Sequence, residues 1–315
     1  MDTILVPLFH IIVFPGFLFL GVLGLLGQYV DRKVYARLQN RVGPPLLQPL
    51  ADFVKLSAKQ ETLPAGADRK MFLALPLVAL AAVVTASFYI PLWGPRALFG
   101  FDGDVIVVLY LLMIPTVSFF LGGHASTSVY AEIGAVRAIT QLFAYEVPLF
   151  LAVLSPALLA GTWSLSGISA FYAAHPFWWL FNVIGLGVGM IAVLGKLEKV
   201  PFDIPEAETE IAGGAFTEYS GRLLALFKMT VDVEAIVAAS LLAAVFLPFA
   251  LGLPPALGFL VYLLKILVVL LLLTLLRTIM ARLRIDQMMA FCWKILAPLG
   301  FLQLIVCLVL KGALS

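Results

Sequence analysis

Residues 257–277 read LGFLVYLLKILVVLLLLTLLR, and the fold follows from them. A helix rises 1.5 Å per residue, so about 20 apolar residues cross the roughly 30 Å hydrocarbon layer of a bilayer. Apart from Lys265, the run carries no charge until Arg277. In hydrocarbon only a helix or a closed barrel satisfies every backbone polar group, and an unbroken apolar run of this length reads as a helix. Seven further runs of this kind lie at 5–30, 71–92, 104–123, 141–161, 177–196, 232–252 and 288–311. The first is expected to be a span and not a cleaved leader. It is long, opens on Asp2 and leads into charge without a small-residue cleavage site. The expected fold is an all-α integral membrane protein with about eight transmembrane helices and amphipathic helices in its cytoplasmic loops. It is expected to form a single polytopic domain over 1–315.

The composition agrees. Of 315 residues, 63% are hydrophobic and 12% charged, against about 45–50% and about 25% in soluble domains. A mean hydropathy of +1.08 argues the same way. A soluble enzyme, a disordered chain and a disulfide scaffold are excluded on these grounds. The net charge of +2 is too small for a nucleic-acid footprint. Cys292 and Cys307 are too few for an iron–sulfur or zinc site on their own, and His10, His124 and His175 show no ligand spacing. No metal site is expected in this chain.

The cations sort by loop. Segment 31–70 holds eight Lys/Arg, and 197–231, 277–287 and 124–140 hold most of the others, whereas the alternate loops hold little beyond Arg96. The positive-inside rule puts the basic loops in the cytoplasm. With eight spans, both termini then lie outside.

Segment 197–231 is also acidic, with Glu198, Asp203, Glu206, Glu208, Glu210 and Glu218. Pro201, Pro205, Gly213 and Gly214 break any long helix there, leaving a structured loop with a short helix near 205–212. Glu206 and Glu210 are spaced i, i+4, so a shared face and a crowded, raised pKa are expected. Such a cluster at a membrane surface suits proton exchange; the bland reading is a solvated acidic loop. Charges inside spans are costlier and tend to mark ion paths. Glu146 lies beside Tyr145 in the fourth span, Lys265 in the seventh and Lys294 in the eighth, while Asp232 and Glu234 open the sixth. Snorkelling to an interface is the plain alternative for the lysines.

The first cytoplasmic loop contains VYARLQNRVGPPLLQPLADFVKLSAKQET, residues 34–62. Arg37 and Arg41 are spaced to share a helical face. Gly43, Pro44, Pro45 and Pro49 interrupt it. From Leu50 to Ala58, apolar Leu50, Phe53, Val54 and Leu56 interleave with Asp52 and Lys55, with Lys59 just beyond. That is an amphipathic helix for the membrane surface or a soluble partner. The chain has no P-loop, dinucleotide glycine fingerprint or cysteine cluster.

EKVPFDIPEAETEIAGGAFTEYSG (198–221), ARLQNRVGPPLLQPLADFVKL (36–56), GAVRAITQLFAYEVPL (134–149) and RTIMARLRIDQMMAFCWKILAP (277–298) carry a resemblance. Through them the chain resembles the H-type membrane subunit of respiratory complex I and its relatives in membrane-bound, energy-converting nickel–iron hydrogenases. The resemblance implies a prokaryotic inner-membrane anchor at the foot of a peripheral redox arm, joined to antiporter-like and small membrane subunits. Iron–sulfur clusters, and nickel–iron in the hydrogenase branch, would sit in partner subunits. By position, Arg137, Gln141, Tyr145 and Glu146 match the fourth-span motif, and Asp203, Glu206, Glu208, Glu210, Glu218 and Tyr219 the acidic-loop motif. Arg37 and Arg41 match the first-loop arginines, and Arg282, Arg284 and Asp286 the motif before the last span. The ion-coupling set expected from residues and resemblance together is Glu146, Asp203, Glu206, Glu208, Glu210, Glu218, Arg137, Tyr145 and Lys265. The redox-arm interface is expected at Arg37, Arg41, Gln48, Asp52, Lys55, Tyr219, Arg282, Arg284 and Asp286. Quinone-type members carry a longer first loop, whereas here Gly43-Pro44-Pro45 passes straight to Leu46-Leu47-Gln48-Pro49. The short form resembles the hydrogenase-like, ferredoxin-linked branch and argues against quinone.

Two other readings compete. A quinone-chamber component of an NADH or ferredoxin:quinone oxidoreductase would share every motif except the short loop. A stand-alone secondary transporter would show inverted repeats with matching interrupted helices, and none is visible.

Overall fold

Hydropathy sets where helices cross, and local backbone chemistry sets where they stop. The structure, a computed structural model, describes residues 2–314; the side chains of 2–4, 208, 209, 313 and 314 lie outside the description. In chain order the helices are α1 (Asp2–Ile12), α2 (Phe17–Leu38), α3 (Gln48–Ala58), α4 (Arg69–Ser87), α5 (Asp104–Ala125), α6 (Val129–Ala160), α7 (Leu165–Ala174), α8 (Val183–Lys196), α9 (Glu208–Ile211), α10 (Gly221–Phe246), α11 (Pro255–Ile279), α12 (Ile285–Phe291) and α13 (Ala297–Leu314). A 3₁₀ segment, Pro176–Asn182, leads into α8, and a π turn, Cys292–Leu296, joins α12 to α13. No strand occurs among the described residues.

Eight stretches are long and apolar enough to cross a membrane among the described residues: Leu5–Leu38, Arg69–Ser87, Asp104–Ala125, Val129–Ala160, Pro176–Lys196, Gly221–Phe246, Pro255–Ile279 and Ile285–Gly312. All eight expected spans are present. The chemistry at their ends is local. Asp68 caps α4 by accepting from the amides of Lys70 and Met71, satisfying N–H groups that the first turn leaves free. Gly161, at φ 71°, ends α6 in the left-handed conformation that glycine adopts without strain.

Several boundaries move from their expected places. Helix α6 begins at Val129, so most of the expected 124–140 loop is helical. Its 32 residues reach about 48 Å at 1.5 Å each, well beyond the hydrocarbon. Ala131, Gly134, Ala135 and Ala138 on the overhang are buried, and Gly134 abuts the backbone of Gly214 and Ala215. Protein, not lipid, covers this turn, which explains why hydropathy alone starts the span too late. Helix α10 starts at Gly221, leaving 197–220 as the acidic loop. Helix α2 ends at Leu38 and Asn40 turns left-handed, so Arg41 lies off the helix and does not share a face with Arg37. Pro49 sits in the first turn of α3, where its missing N–H is no loss.

The basic loops gather at one end of the bundle. Helix α10 runs through the middle, buried along most of its length, beside α2, α4 and α11. Helix α6 packs against α5, α8 and α13. The acidic loop lies across the basic-loop end, between the overhang of α6 and the start of α10.

Candidate functional site

Burying an ion without a partner is expensive, so charges inside a bundle occur in groups. Here Lys196 ends α8, Glu146 lies on α6 and Glu234 on α10. The side chains of Lys196 and Glu234 are 0% and 1% exposed, and Lys196 Nζ lies 3.6 Å from Glu234 Oε1. The same ammonium sits 5.4 Å from the centre of the Tyr145 ring. Glu146 is buried as well, and neither of its carboxylate oxygens has a hydrogen-bond partner among the described residues. The Tyr145 hydroxyl pairs with Thr116 Oγ1 at 3.0 Å. Two carboxylates thus share one ammonium, with polar capacity left over.

A second layer lies toward the basic-loop end. Asp31 on α2 accepts from Lys199 Nζ (2.9 Å), Arg277 Nη1 (2.8 Å) and Thr274 Oγ1 (2.8 Å), tying the acidic loop to α2 and α11. Asp232 on α10 accepts twice from Gln28 Nε2, at 2.9 and 2.8 Å. Glu206 takes a 2.5 Å bond from Lys228. Glu198, at φ 50°, is half-buried overall, yet its Oε1 is enclosed and unpartnered. Burial pushes the Glu198 carboxyl well above the ordinary carboxylate range; Glu206 and Glu234 push it further, against the pull of Lys228. These groups line a polar cavity of about 400 Å³ whose walls include Asp31, Glu198, Lys199, Asp203, Glu206 and Asp232. Glu198 borders this cavity and feels the charge of Glu234. The arrangement is a stepwise series of carboxylates, each within the field of the next, running from the cavity into the bundle.

The loop is held from both ends. Gln141 Nε2 donates to Gly195 O (2.7 Å) and Phe202 O (2.8 Å). At the other end Tyr219 stacks on Phe72, with ring centres 3.9 Å apart, and packs on Phe227.

The expected residues divide into groups. Glu146 and Tyr145 join the buried cluster. Asp203 and Glu206 border the cavity, Asp203 paired with Arg282 Nε at 3.0 Å. Glu210 does not share a face with Glu206: the α9 turn starts after Glu206, and Glu210 instead pairs with Arg137 at 2.6 Å. That hydrogen bond holds the Glu210 carboxyl below its usual range, opposite to the crowding expected for it. Glu218 is half-buried on the loop. The side chain of Glu208 lies outside the described residues. Lys265 stands apart, donating to Phe249 O in the loop before α11, and Lys294 is exposed on the π turn.

Of the expected interface set, Arg37, Arg41, Lys55, Arg282, Arg284 and Asp286 are exposed. Asp52 accepts from Arg32 (3.0 Å) and Gln48 (2.9 Å). Slight burial opposes ionisation of Asp52, but these bonds and the Arg32 and Lys55 charges outweigh it and hold the carboxyl low. Tyr219 is buried, because its ring completes the aromatic cluster, and so is not presented to a partner. Arg137, Glu210, Arg282, Arg284 and Asp286 border a recess of about 390 Å³. Asp31, Lys196, Glu198, Lys199 and Glu234 belong to the charged series but stand outside the expected set. Glu198 and Glu234 were visible in the sequence as a loop acid and an in-span charge, whereas Asp31, Lys196 and Lys199 fall within a turn of an expected span end, where topology alone accounts for a charge.

A polytopic helical membrane protein with a buried ionic series under a structured loop is a membrane module of the kind found in energy-converting complexes. The NADH dehydrogenase family model matches residues 9–308, and the chain belongs to that family. The H-type subunit of the NADH-quinone oxidoreductase of Syntrophotalea carbinolica is 34% identical, covering 97% of each chain. Its counterpart in Thermomicrobium roseum is 36% identical over 92% of each. A chain in the solved structure of the membrane-bound sulfane sulfur reductase, an archaeal respiratory membrane complex, superposes with a TM-score of 0.83 at 28% identity, covering 92% of this chain and 96% of that one. The chain is a membrane subunit of a complex-I-like oxidoreductase.

Proposed function

We propose that this chain seats a peripheral redox arm on the membrane and couples electron transfer there to movement of protons or sodium ions. The observation that carries this is the series from the polar cavity through Glu198 to Glu234, Lys196 and Glu146. Electron transfer in the arm changes the charge or position of the acidic loop. Glu198 passes that change inward, because a charge step on one poorly solvated carboxylate alters its neighbour by several kcal/mol at short range. Asp203, Glu206, Glu208, Glu210, Glu218, Arg137 and Tyr145 complete the coupling set. Lys265 is proposed as a more distant member, since it stands apart from the buried cluster.

The arm docks over the basic-loop end, on Arg37, Arg41, Lys55, Arg282, Arg284 and Asp286, with Gln48 and Asp52 fixing α3 beside them. Exposed apolar residues beyond the hydrocarbon support a covered face there: Val42 is 74% exposed, Leu47 66%, Val129 72%, and contiguous apolar exposure marks interaction surfaces. Both termini then lie on the opposite side of the inner membrane. The partners are peripheral hydrogenase-like or quinone-reductase-like subunits with iron–sulfur proteins, and antiporter-like and small membrane subunits.

The short first loop favours the hydrogenase-like, ferredoxin-linked branch. The cavity supports the same choice. Its walls are mostly charged, with Leu197, Val200 and Val231 as its apolar members, a lining that suits water and ions and does not fit a prenylated quinone. The curated relatives are named for quinone reduction, which keeps a quinone-reducing complex as the second reading.

The test is coupled turnover of the assembled complex in proteoliposomes. Glu146→Gln and Glu198→Gln should leave the complex intact and reduce ion uptake per electron. Full ion uptake in both variants overturns the proposal. Nickel in the purified assembly decides for the hydrogenase branch; quinone reduction without nickel decides against it.

A further inference from the structure

A different site lies at the end of the bundle away from the basic loops. The break between α1 and α2 and the turn after α4 enclose a cavity of about 290 Å³, near the lower size of small-molecule pockets. Its lining includes His10, Phe14, Trp93, Arg96, Ala97 and Leu98, and no acidic residue borders it among the described residues. Arg96 is exposed and has no acidic partner among the described residues. It is the cation that breaks the loop charge pattern, and neither the coupling series nor the arm interface uses it. His10 Nδ1 donates to Phe14 O at 2.9 Å, which fixes the ring in the cavity wall. The walls are pre-formed. Phe14 and Trp93 pack with ring centres 5.0 Å apart, Trp93 leans on Phe259 and Tyr262, and Ala97 N donates to Ser166 Oγ at 2.9 Å.

The chemistry is amphipathic: a guanidinium and an imidazole at a pocket with aromatic and aliphatic walls. Aromatic side chains of this kind settle at headgroup depth in a bilayer. A guanidinium pairs with phosphate oxygens in a bidentate manner. We propose that this cavity binds an anionic phospholipid, with its phosphodiester on Arg96 and its first acyl carbons against Phe14, Trp93 and Leu98. The lipid would fix the α1–α2 break against the α4–α5 turn.

The test is native mass spectrometry of the full-length chain, titrated separately with phosphatidylglycerol, phosphatidylcholine and inorganic phosphate. The expected result is a phosphatidylglycerol adduct that outlasts the phosphatidylcholine one. Arg96→Gln should weaken it about fivefold, the loss of one cation near an anionic lipid. Leu98→Trp, which crowds the apolar wall without touching the charge, should weaken the adduct as well. Arg69→Gln, at the opposite end, should leave it unchanged. Equal binding by the native chain and Arg96→Gln overturns the proposal, as does an adduct left unchanged by Leu98→Trp. Displacement of phosphatidylglycerol by inorganic phosphate would make this a simple anion site and also overturns it. Lipid extraction from the assembled complex closes the question: absence of the lipid there, with a neighbouring protein in its place, contradicts the assignment.

Discussion

Replacing Lys196 by Met removes the ammonium that faces Glu234 and whose charge reaches Glu146. Lys196 Nζ and Glu234 Oε1 are 3.6 Å apart, and both side chains are sealed from solvent. At an effective dielectric of about 20, unit charges at that separation attract by about 4–5 kcal/mol. Dehydrating the two ions cancels much of this, so the intact pair adds little net stability. Removing one partner has a different effect, because the cost of the remaining buried charge is no longer offset; about 3–5 kcal/mol is typical. Lys196→Met should therefore destabilise the chain by about 3–5 kcal/mol. Glu234→Gln should cost less, about 1–3 kcal/mol, because Lys196 keeps the field of Glu146. The double variant should be no worse than Lys196→Met alone. Unfolding free energies in bicelles for the four proteins form a double-mutant cycle, with an expected coupling of about 1–3 kcal/mol. Effects that add to within about 0.5 kcal/mol would refute an interacting buried pair.

Asp31→Asn leaves Lys199 and Arg277 facing a neutral amide and should loosen the acidic loop by about 3 kcal/mol, read as faster proteolysis within 197–220; native-like protection would contradict the hub. The raised Glu198 carboxyl makes a signed pH prediction. Its folded state favours the proton, so its contribution is complete below the unfolded value of about 4.3 and is lost as pH rises through the raised folded value. Loop opening should increase with pH in the native chain and not in Glu198→Gln; matching pH profiles would exclude Glu198 as the titrating group. Arg137→Ala breaks an exposed pair and should change stability by less than about 1 kcal/mol, while lowering ion uptake per electron by the assembled complex in proteoliposomes. Gly134→Val pushes a side chain into the backbone of Gly214 and Ala215 and should cost about 1–3 kcal/mol, displacing the loop from α6.

The spans were legible in the sequence because hydropathy is a per-residue property summed over a fixed length. What it missed was set by protein-covered surface. The first turns of α6 are too polar for lipid, yet Gly134, Ala135 and Ala138 pack closely under the acidic loop. Glu146 was legible as an isolated charge in an apolar run. Glu234 was legible as an acid expected to open the sixth span, and it falls mid-way along α10 because that helix starts earlier. Lys196 was not, since it ends α8, where topology explains a charge without further meaning. Asp31 was hidden similarly: it falls where the first span was expected to have ended, but α2 continues through it to Leu38. The i, i+4 argument for Glu206 and Glu210 failed because helix periodicity applies only within a helix, and α9 is four residues long and starts at Glu208. Cation choice then separated the two acids, sending Glu206 to Lys228 and Glu210 to Arg137.

Redox turnover is expected to change the protonation of the buried carboxylate series. Redox-induced infrared difference spectroscopy of the assembled complex reads this directly. The expected result is a protonated-carboxyl band that appears or vanishes on reduction, is lost in Glu198→Gln, and is shifted in Glu234→Gln through its field on Glu198. A carboxyl signal identical in the native complex and both variants would contradict it.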